Sequence, residues 1–572
     1  MLPWLLAVSL PILAAGLIPF LPIGSRWPGW ILALSPFPAL WVSLFADLHL
    51  VCELDTVLLG TRLGFGLFDR TFLLLTALAW SVSSLFIACG RGKSLSSGFL
   101  SMFALTMGGN IGLVAAQDAV SFYSFFALMT FAAYSLVIYT QTEKARRAGR
   151  IYLFMAVCAE GLLIAGFMLA VFHSPSHYFA DIAPVMATLP PSHPVFWCFF
   201  AGFGVKAGII FFHFWLPLAH PVAPTPASAV LSGAMIKAGL LGWLHFFPLG
   251  AASFPGWGTV FMVMGLGSAF FGVLSGLGED YPKTVLAYSS ISQMGLMSFG
   301  LGLGLYDQAL WASAGQGLQW LIINHALAKT VLFLGTAVIG ASQVSPAWRR
   351  IVLGGLCLPG LALAGISFTA GSQAKYLLKK AAEAGPGGEM GVVLLFLSSV
   401  MTTVLIGHFL WRAWQLPAKE EVTGPQVWVW VVGLLLVAGL PVYFPFVSLG
   451  LRIEGLLSPN PSALIPIAAG LFLYLLARKP MLGLLQKIKD FVPDPTVGMD
   501  LIWHKGTAGL RRSSLIQAKW MEMNLYAFLD QALRSDFGWE RMRHVEYRAA
   551  KWPVFGFWFI VLILILAGWA FW

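Results

Sequence analysis

The chain has 572 residues, of which 58% are apolar and only 10% charged, and its formal net charge is +10. Apolar runs of about 20 residues recur from end to end, the length a helix needs to cross a bilayer, which excludes an ordinary soluble domain. The runs do not alternate apolar and polar, which excludes a β-barrel, and the basic residues fall in short loops between runs, where they read as topology determinants and contacts to anionic lipid instead of a nucleic-acid surface.

The expected class is an all-α polytopic membrane protein with about 16 transmembrane helices. Their expected positions are 3–21, 29–48, 70–89, 97–116, 119–140, 151–172, 195–217, 226–248, 256–278, 284–305, 311–340, 351–381, 390–414, 427–447, 461–477 and 553–572. The first run lacks a basic leader and a cleavage motif, so it reads as a span and not as a removed signal. Arg26, Arg91, Lys93, the group Lys144, Arg146, Arg147 and Arg150, then Lys283, Arg349, Arg350, Lys419, Arg478 and Lys479 all fall on one side of such a count. That side is expected to be cytoplasmic, which puts loops 1/2, 3/4, 5/6 and residues 480–552 inside and both termini outside. The protein is then a multi-pass protein of the inner (cytoplasmic) membrane.

Residues 51–69 carry Glu53, Asp55, Arg62 and Asp69 and read as an external hairpin or loop. Residues 480–552 are the one long polar region, with a predicted amphipathic helix over about 508–535 suited to the membrane surface. Two spans are interrupted. One runs into His213-Phe-Trp-Leu-Pro217-Leu-Ala-His220-Pro221, and the other passes through Gly365-Ile-Ser-Phe-Thr-Ala-Gly371. Non-helical backbone in lipid survives only where protein buries it or water reaches it, so breaks of this kind mark a transport site.

Six ionisable residues, Glu160, Lys206, Lys237, His325, Lys329 and Lys375, lie within the apolar runs. A charge at bilayer depth costs about 2.5–3.5 kcal/mol on insertion scales, and such residues usually face a bundle interior or a wet cavity. Any one of them has a bland reading, a satisfied core group. Six together point to a path for protons or small cations. His325 and Lys329, four residues apart, share a helix face. Burial favours neutral lysine and neutral glutamate while an opposite charge does the reverse, so a Glu160–Lys206 pair that opens and closes can push a proton along Lys237 and His325 toward Lys375. Lys379 and Lys380, one turn on, read as snorkelling side chains. His408 reads as packed, and Gly300-Leu-Gly302-Leu-Gly304 lacks the βαβ context of a nucleotide loop. The five cysteines are scattered without a C-x-x-C pair and read as small buried hydrophobes. With no H-E-x-x-H, cysteine cluster or quinone-specific constellation in view, no cofactor and no metal is assigned to the chain.

The segment GFGVKAGIIFFHFWLPLAHPVAPTPASAVLSGAMIKAG (202–239), with LAYSSISQMG (286–295) and NHALAKTVLFLG (324–335), resembles the signature blocks of the antiporter-like proteins. That family includes Mrp-type cation/proton antiporter subunits, the antiporter-like subunits of complex I (an NADH dehydrogenase), and membrane subunits of energy-converting hydrogenases. The resemblance implies two inverted five-helix repeats, spans 4–8 and 9–13, with spans 7 and 12 broken. It divides the chain into residues 1–95, a first repeat 96–250, a second repeat 251–415, spans 14 and 15 in 416–479, the surface segment 480–552 and a final span 553–572. It makes Lys206 the lysine of the first break, Lys237 the connecting lysine, His325 and Lys329 the central pair, and Lys375 the lysine closing the second half-channel. The family's usual span 5 glutamate is missing, since the block reads Phe126-Ala127-Leu128-Met129-Thr130, and Glu160 is the nearest substitute. The function implied is translocation of protons, or Na⁺/H⁺ exchange, within a larger membrane complex that is redox-driven or an antiporter and has no redox centre in this chain. The expected partners are other membrane subunits, the transported cations and the bilayer, with no nucleic acid. The alternatives are a structural or coupling subunit that does not pump, and a relative recruited for inorganic carbon uptake.

Overall fold

The computed structural model describes residues 1–22, 25–90, 95–341, 345–443 and 463–476. The chain divides into two compact units, Met1–Val492 and Pro493–Trp572. The second unit, with the expected final span, lies outside the described residues, as does the expected amphipathic helix over 508–535.

The described part is helical, with one small hairpin. In chain order it begins with α1 (Leu2–Leu17), α2 (Trp27–Leu34) and α3 (Phe37–Phe45). Strands β1 (Cys52–Leu54) and β2 (Thr61–Leu63) then pair antiparallel, with Glu53 opposite Arg62. Next come α4 (Leu67–Ala88), α5 (Ser97–Ala115), α6 (Ala119–Val137), α7 (Glu143–His173) and the short α8 (Phe179–Thr188). The first break separates α9 (Pro194–Ala207) from α10 (Trp215–Val222). The chain continues through α11 (Thr225–Val230), a π-helical turn Leu231–Met235, and α12 (Lys237–Phe246). Then follow α13 (Pro255–Leu277), α14 (Pro282–Tyr306) and α15 (Trp311–Ile339). The second break separates α16 (Pro346–Ala364) from α17 (Ala370–Ala384), before α18 (Gly388–Trp414) and α19 (Gly424–Tyr443).

Among the described residues, eleven helices are long and apolar enough to cross a membrane. The spans expected at 195–217, 284–305, 427–447 and 461–477 also fall on helices. The first of these is broken, α14 is rich in buried Ser and Gln, and the last two have short apolar stretches. The helices start where local chemistry satisfies their first N–H groups. Thr142 caps α7 by accepting from Ala145 (3.2 Å), Ser345 caps α16 and Thr369 caps α17. Asp118 caps α6 through one carboxylate oxygen and accepts the Arg62 N–H (3.0 Å) through the other, which fastens the hairpin to the bundle.

The centre of the fold is α15. Every residue from Gly317 to Ile339 is buried, polar ones included, because α4, α14, α16, α17 and α19 pack around it. A helix enclosed on all sides has no lipid face to keep apolar, so it can carry Asn324, His325 and Lys329. Beside it, α13 and α14 run so close that a Cβ on Gly265 would stand 2.6 Å from the Gly295 carbonyl, and one on Gly302 2.7 Å from that of Gly258. Small residues at such a seam let two membrane helices approach backbone to backbone. That gives the glycines of Gly300-Leu-Gly302-Leu-Gly304 a packing role, Gly302 against α13 and Gly300 and Gly304 against Leu378 and Trp311.

Two expectations are refined here. Cys52 sits in a strand and Cys158 is exposed, so burial in helices does not describe all five cysteines. The second break does more than weaken one helix. It separates two helices with their own caps.

Candidate functional site

The two breaks share a backbone pattern. Gly208 (φ +68°) and Gly365 (φ +94°) each end a helix in the left-handed region, and three residues later Phe211 (φ +70°) and Phe368 (φ +64°) occupy it again. Glycine takes this conformation freely, whereas a phenylalanine there is strained and must be held by its surroundings.

Lys206 lies on the last turn of α9, one residue short of its end. It is buried, and its Nζ donates to Thr130 Oγ1 (3.1 Å) and Tyr152 O–H (3.4 Å), with the rings of Phe126 and Tyr152 alongside. Glu160, on α7, lines the same cavity of about 20 Å³, which has room for one water. Thr130 and Tyr123 stand beside its carboxyl without reaching hydrogen-bond geometry, and Lys206 is within electrostatic reach. On the span 5 side the lysine thus meets a hydroxyl, Thr130, one turn further on from Ala127.

Lys237 begins α12, immediately after the π-helical turn. Widening the helix there frees carbonyls, and Lys237 Nζ donates to two of them, Ser232 (3.1 Å) and Gly233 (2.6 Å). Ser232 Oγ in turn meets Ser290 Oγ of α14 at 2.7 Å. On α15, Lys329 Nζ donates to the Leu286 carbonyl of α14 (2.8 Å), and His325 lies within electrostatic reach of both Lys237 and Lys329. Among the described residues, neither ring nitrogen of His325 finds a protein partner, and the same holds for His220, whose ring stacks on Phe333 at 4.5 Å. Ser289, Ser292 and Gln293 on α14 are likewise buried with side-chain polar atoms that lack a partner among the described residues. Buried polar groups of this kind normally hold water, and here they lie along the helices that carry the lysines.

Lys375, on α17, reaches back across the second break to donate to the Ala364 carbonyl at the end of α16 (2.6 Å). Asn324 of α15 serves the neighbouring Ala362 carbonyl (3.0 Å). Beyond it, Lys379 pairs with Glu383 (3.7 Å), both half exposed. His408 Nε2–H donates to the Glu279 carbonyl (2.9 Å), and the ring is buried.

The structure therefore brings Glu160 beside Lys206, and Lys237 beside His325 and Lys329, while Lys375 lies at the far break with Asn324 of α15 as its neighbour. Four residues have places that the sequence does not suggest. Thr130 holds the Lys206 amine. The Asp69–His245 pair (3.0 Å) joins α4 to α12, where the sequence predicts a loop at Asp69. Lys283, by composition a loop charge, is buried and points inward. The motif LAYSSISQMG was the available signal for Lys283, which sits three residues ahead of it.

Residues 116–353 match the family described as NADH:quinone oxidoreductase/Mrp antiporter, TM. Over 258 residues the chain is 34% identical to hydrogenase-4 component B of Escherichia coli (strain K12), a match covering 44% of this chain and 38% of that protein. The chain thus spans well under two thirds of this relative. Among solved structures, a chain of the Mrp complex from Dietzia sp. DQ12-45-1b superposes with a TM-score of 0.73 at 23% identity, covering 93% of this chain and 64% of that one. A chain of respiratory complex I from Thermus thermophilus with bound NADH does so with a TM-score of 0.67 at 20% identity, covering 82% of this chain and 99% of that one. At these identities the likeness is one of fold.

Proposed function

From the premise that the central segment 116–353 belongs to the NADH:quinone oxidoreductase/Mrp antiporter family, we propose that this chain is a proton-translocating subunit of a multi-subunit membrane complex. The observation that carries the reading is the set of buried amines. Lys206, Lys237 and Lys329 are each almost fully enclosed, and their Nζ atoms rest on hydroxyls and backbone carbonyls, with Glu160 the one carboxylate beside them. An ammonium held by neutral oxygens can release its proton without breaking an ion pair, which suits a relay better than a fixed bridge.

In this reading a proton is handed between Glu160 and Lys206, passes through water to Lys237, crosses by His325 and Lys329, and leaves past Lys375. His325 has two ring nitrogens available for the hand-over. Na⁺ is the alternative cargo, and the larger assembly is the same kind as those in which the superposed chains sit. Location in the inner membrane belongs to the same proposal, with Arg26, Arg91, Lys93 and the basic first turns of α7 (Lys144, Arg146, Arg147 and Arg150) on the cytoplasmic side, as does a bracing role for residues 480–552.

The test is the complex in sealed vesicles with a trapped pH dye, with and without Na⁺. Glu160→Gln is expected to lower proton flux about tenfold, the effect of about 1.4 kcal/mol on a barrier. Adding Ala127→Glu in that background is expected to restore part of it. A pair that restores nothing rejects Glu160 as the stand-in for the span 5 acid, and flux only in exchange for Na⁺ changes the cargo assigned.

A further inference from the structure

At one end of α14 and α15 lies a second cavity of about 170 Å³, lined by Tyr281, Lys283, Thr336, Gly340, Lys419 and Glu420 among others. A space of this size has room for several waters, against one in the cavity beside Lys206. One wall is pinned in place, because the N–H groups of Lys419 (3.0 Å) and Glu420 (2.9 Å) both donate to the Gly340 carbonyl at the end of α15. We propose that this cavity is a water-filled mouth of the proton path and that Lys283 is the residue that passes protons between it and the buried His220–Lys329 centre. The inference rests on the proton-translocating reading above and adds a site of entry or exit to it.

Two features connect the cavity to the interior. The first is Lys283 itself. It is only 7% exposed, and its Nζ points away from the surface to the Ala223 carbonyl (3.1 Å) between α10 and α11. A lysine at a membrane surface ordinarily extends its amine toward water. This one spends its length inward, and it lies within electrostatic reach of His220, as does Lys329 from the other side. The second is the face of α15. His325, Lys329 and Thr336 are spaced by four and seven residues and so lie along one stripe, which leads from the centre to the cavity wall over about 10 Å at 1.5 Å per residue. Phe333, on which His220 stacks, stands between them.

The cavity holds groups that can pass a proton as well as water. The Glu420 carboxylate stands beside Lys283 and Lys419 and is within electrostatic reach of both Tyr281 and Lys283. In the step itself a proton carried from the bulk as hydronium along the cavity's waters passes to the neutral Lys283 amine, leaving water behind. The ammonium releases it through water to a ring nitrogen of His220, which among the described residues has no protein partner, the imidazolium passes it on to neutral Lys329, and the Lys283 amine and His220 ring are neutral again.

The test uses the whole complex with Cys52, Cys89, Cys158, Cys198 and Cys357 replaced. Thr336→Cys and, as the buried comparison on the same helix, Thr330→Cys are exposed to a membrane-impermeant maleimide from each side of the membrane. The expected result is labelling of Thr336→Cys from one side only, at least tenfold faster than Thr330→Cys. In vesicles Lys283→Met is expected to lower proton flux at least tenfold, Lys283→Arg to keep more than Lys283→Met, and Glu420→Gln to slow it several-fold. Equal labelling of the two cysteines, or wild-type flux in Lys283→Met, overturns the proposal. A wild-type complex that moves no protons counts against the proposed function instead, while the labelling still decides whether the cavity is wet.

Discussion

The two helix breaks use the same turn and treat their lysines in opposite ways. At the first, Lys206 precedes the left-handed glycine and is held by the side chains of Thr130 and Tyr152, with Glu160 across a cavity the size of one water. At the second, Lys375 follows the break and folds back onto the backbone carbonyl of Ala364. Side chains can re-orient about their rotamers, whereas a carbonyl at a helix end moves only with the helix. The first break is therefore the place where a neighbouring charge can adjust the lysine, and the second is the place where the break itself positions it.

The largest expected effect tests what lies between the breaks. In the proposed relay, Lys329→Ala and Lys237→Ala each remove a transfer group. Each should lower vesicle proton flux by about a hundredfold, within the range that a positioned acid–base group contributes. The amount of assembled complex should change little, since each change also deletes a buried ammonium.

A smaller effect should separate the two breaks. Gly208→Ala and Gly365→Ala both force alanine into the left-handed region, at about 1–2 kcal/mol. At Gly208 the added methyl would sit 3.7 Å from Leu216, ordinary contact, while at Gly365 it would sit 2.8 Å from Cδ of Lys375. Both variants should lose a few degrees in Tm, but only Gly365→Ala should also lose flux. Equal flux in the two would remove the distinction drawn between the lysines. The smallest effect is expected from Lys379→Ala. Its half-exposed pair with Glu383 is worth at most about 0.5 kcal/mol, and flux should be unchanged.

The polytopic helical fold was legible because a span is a local property: about 20 apolar residues announce themselves in any context. The breaks were legible for a similar reason, since Gly and Pro punctuate a helix wherever they stand. The motif blocks around Lys206, Lys237 and the His325–Lys329 pair carried the centre of the candidate site. What could not be read is what depends on the direction of a side chain. Lys283 at the start of a span has the composition of a snorkelling loop charge, and only the packing of α10 against α14 brings the Ala223 carbonyl to where it turns the amine inward. The Asp69–His245 pair joins residues 176 positions apart, and nothing local in either segment points to the other. The contact of Lys206 with Thr130, one turn from Ala127, is likewise below the resolution of span boundaries drawn from hydropathy.

The central claim is that Lys206 and Lys375, one at each break, stand on a single path. The direct measurement is proton flux into vesicles for Lys206→Ala, Lys375→Ala and the double variant, each normalised to assembled complex. Groups in series predict that each single change lowers flux severalfold or more, by no more than Lys237→Ala does, and that the double variant is no worse than the worse of the two. A single variant that keeps most of the wild-type flux, with the loss appearing only in the double, would mean two parallel routes and would contradict the account.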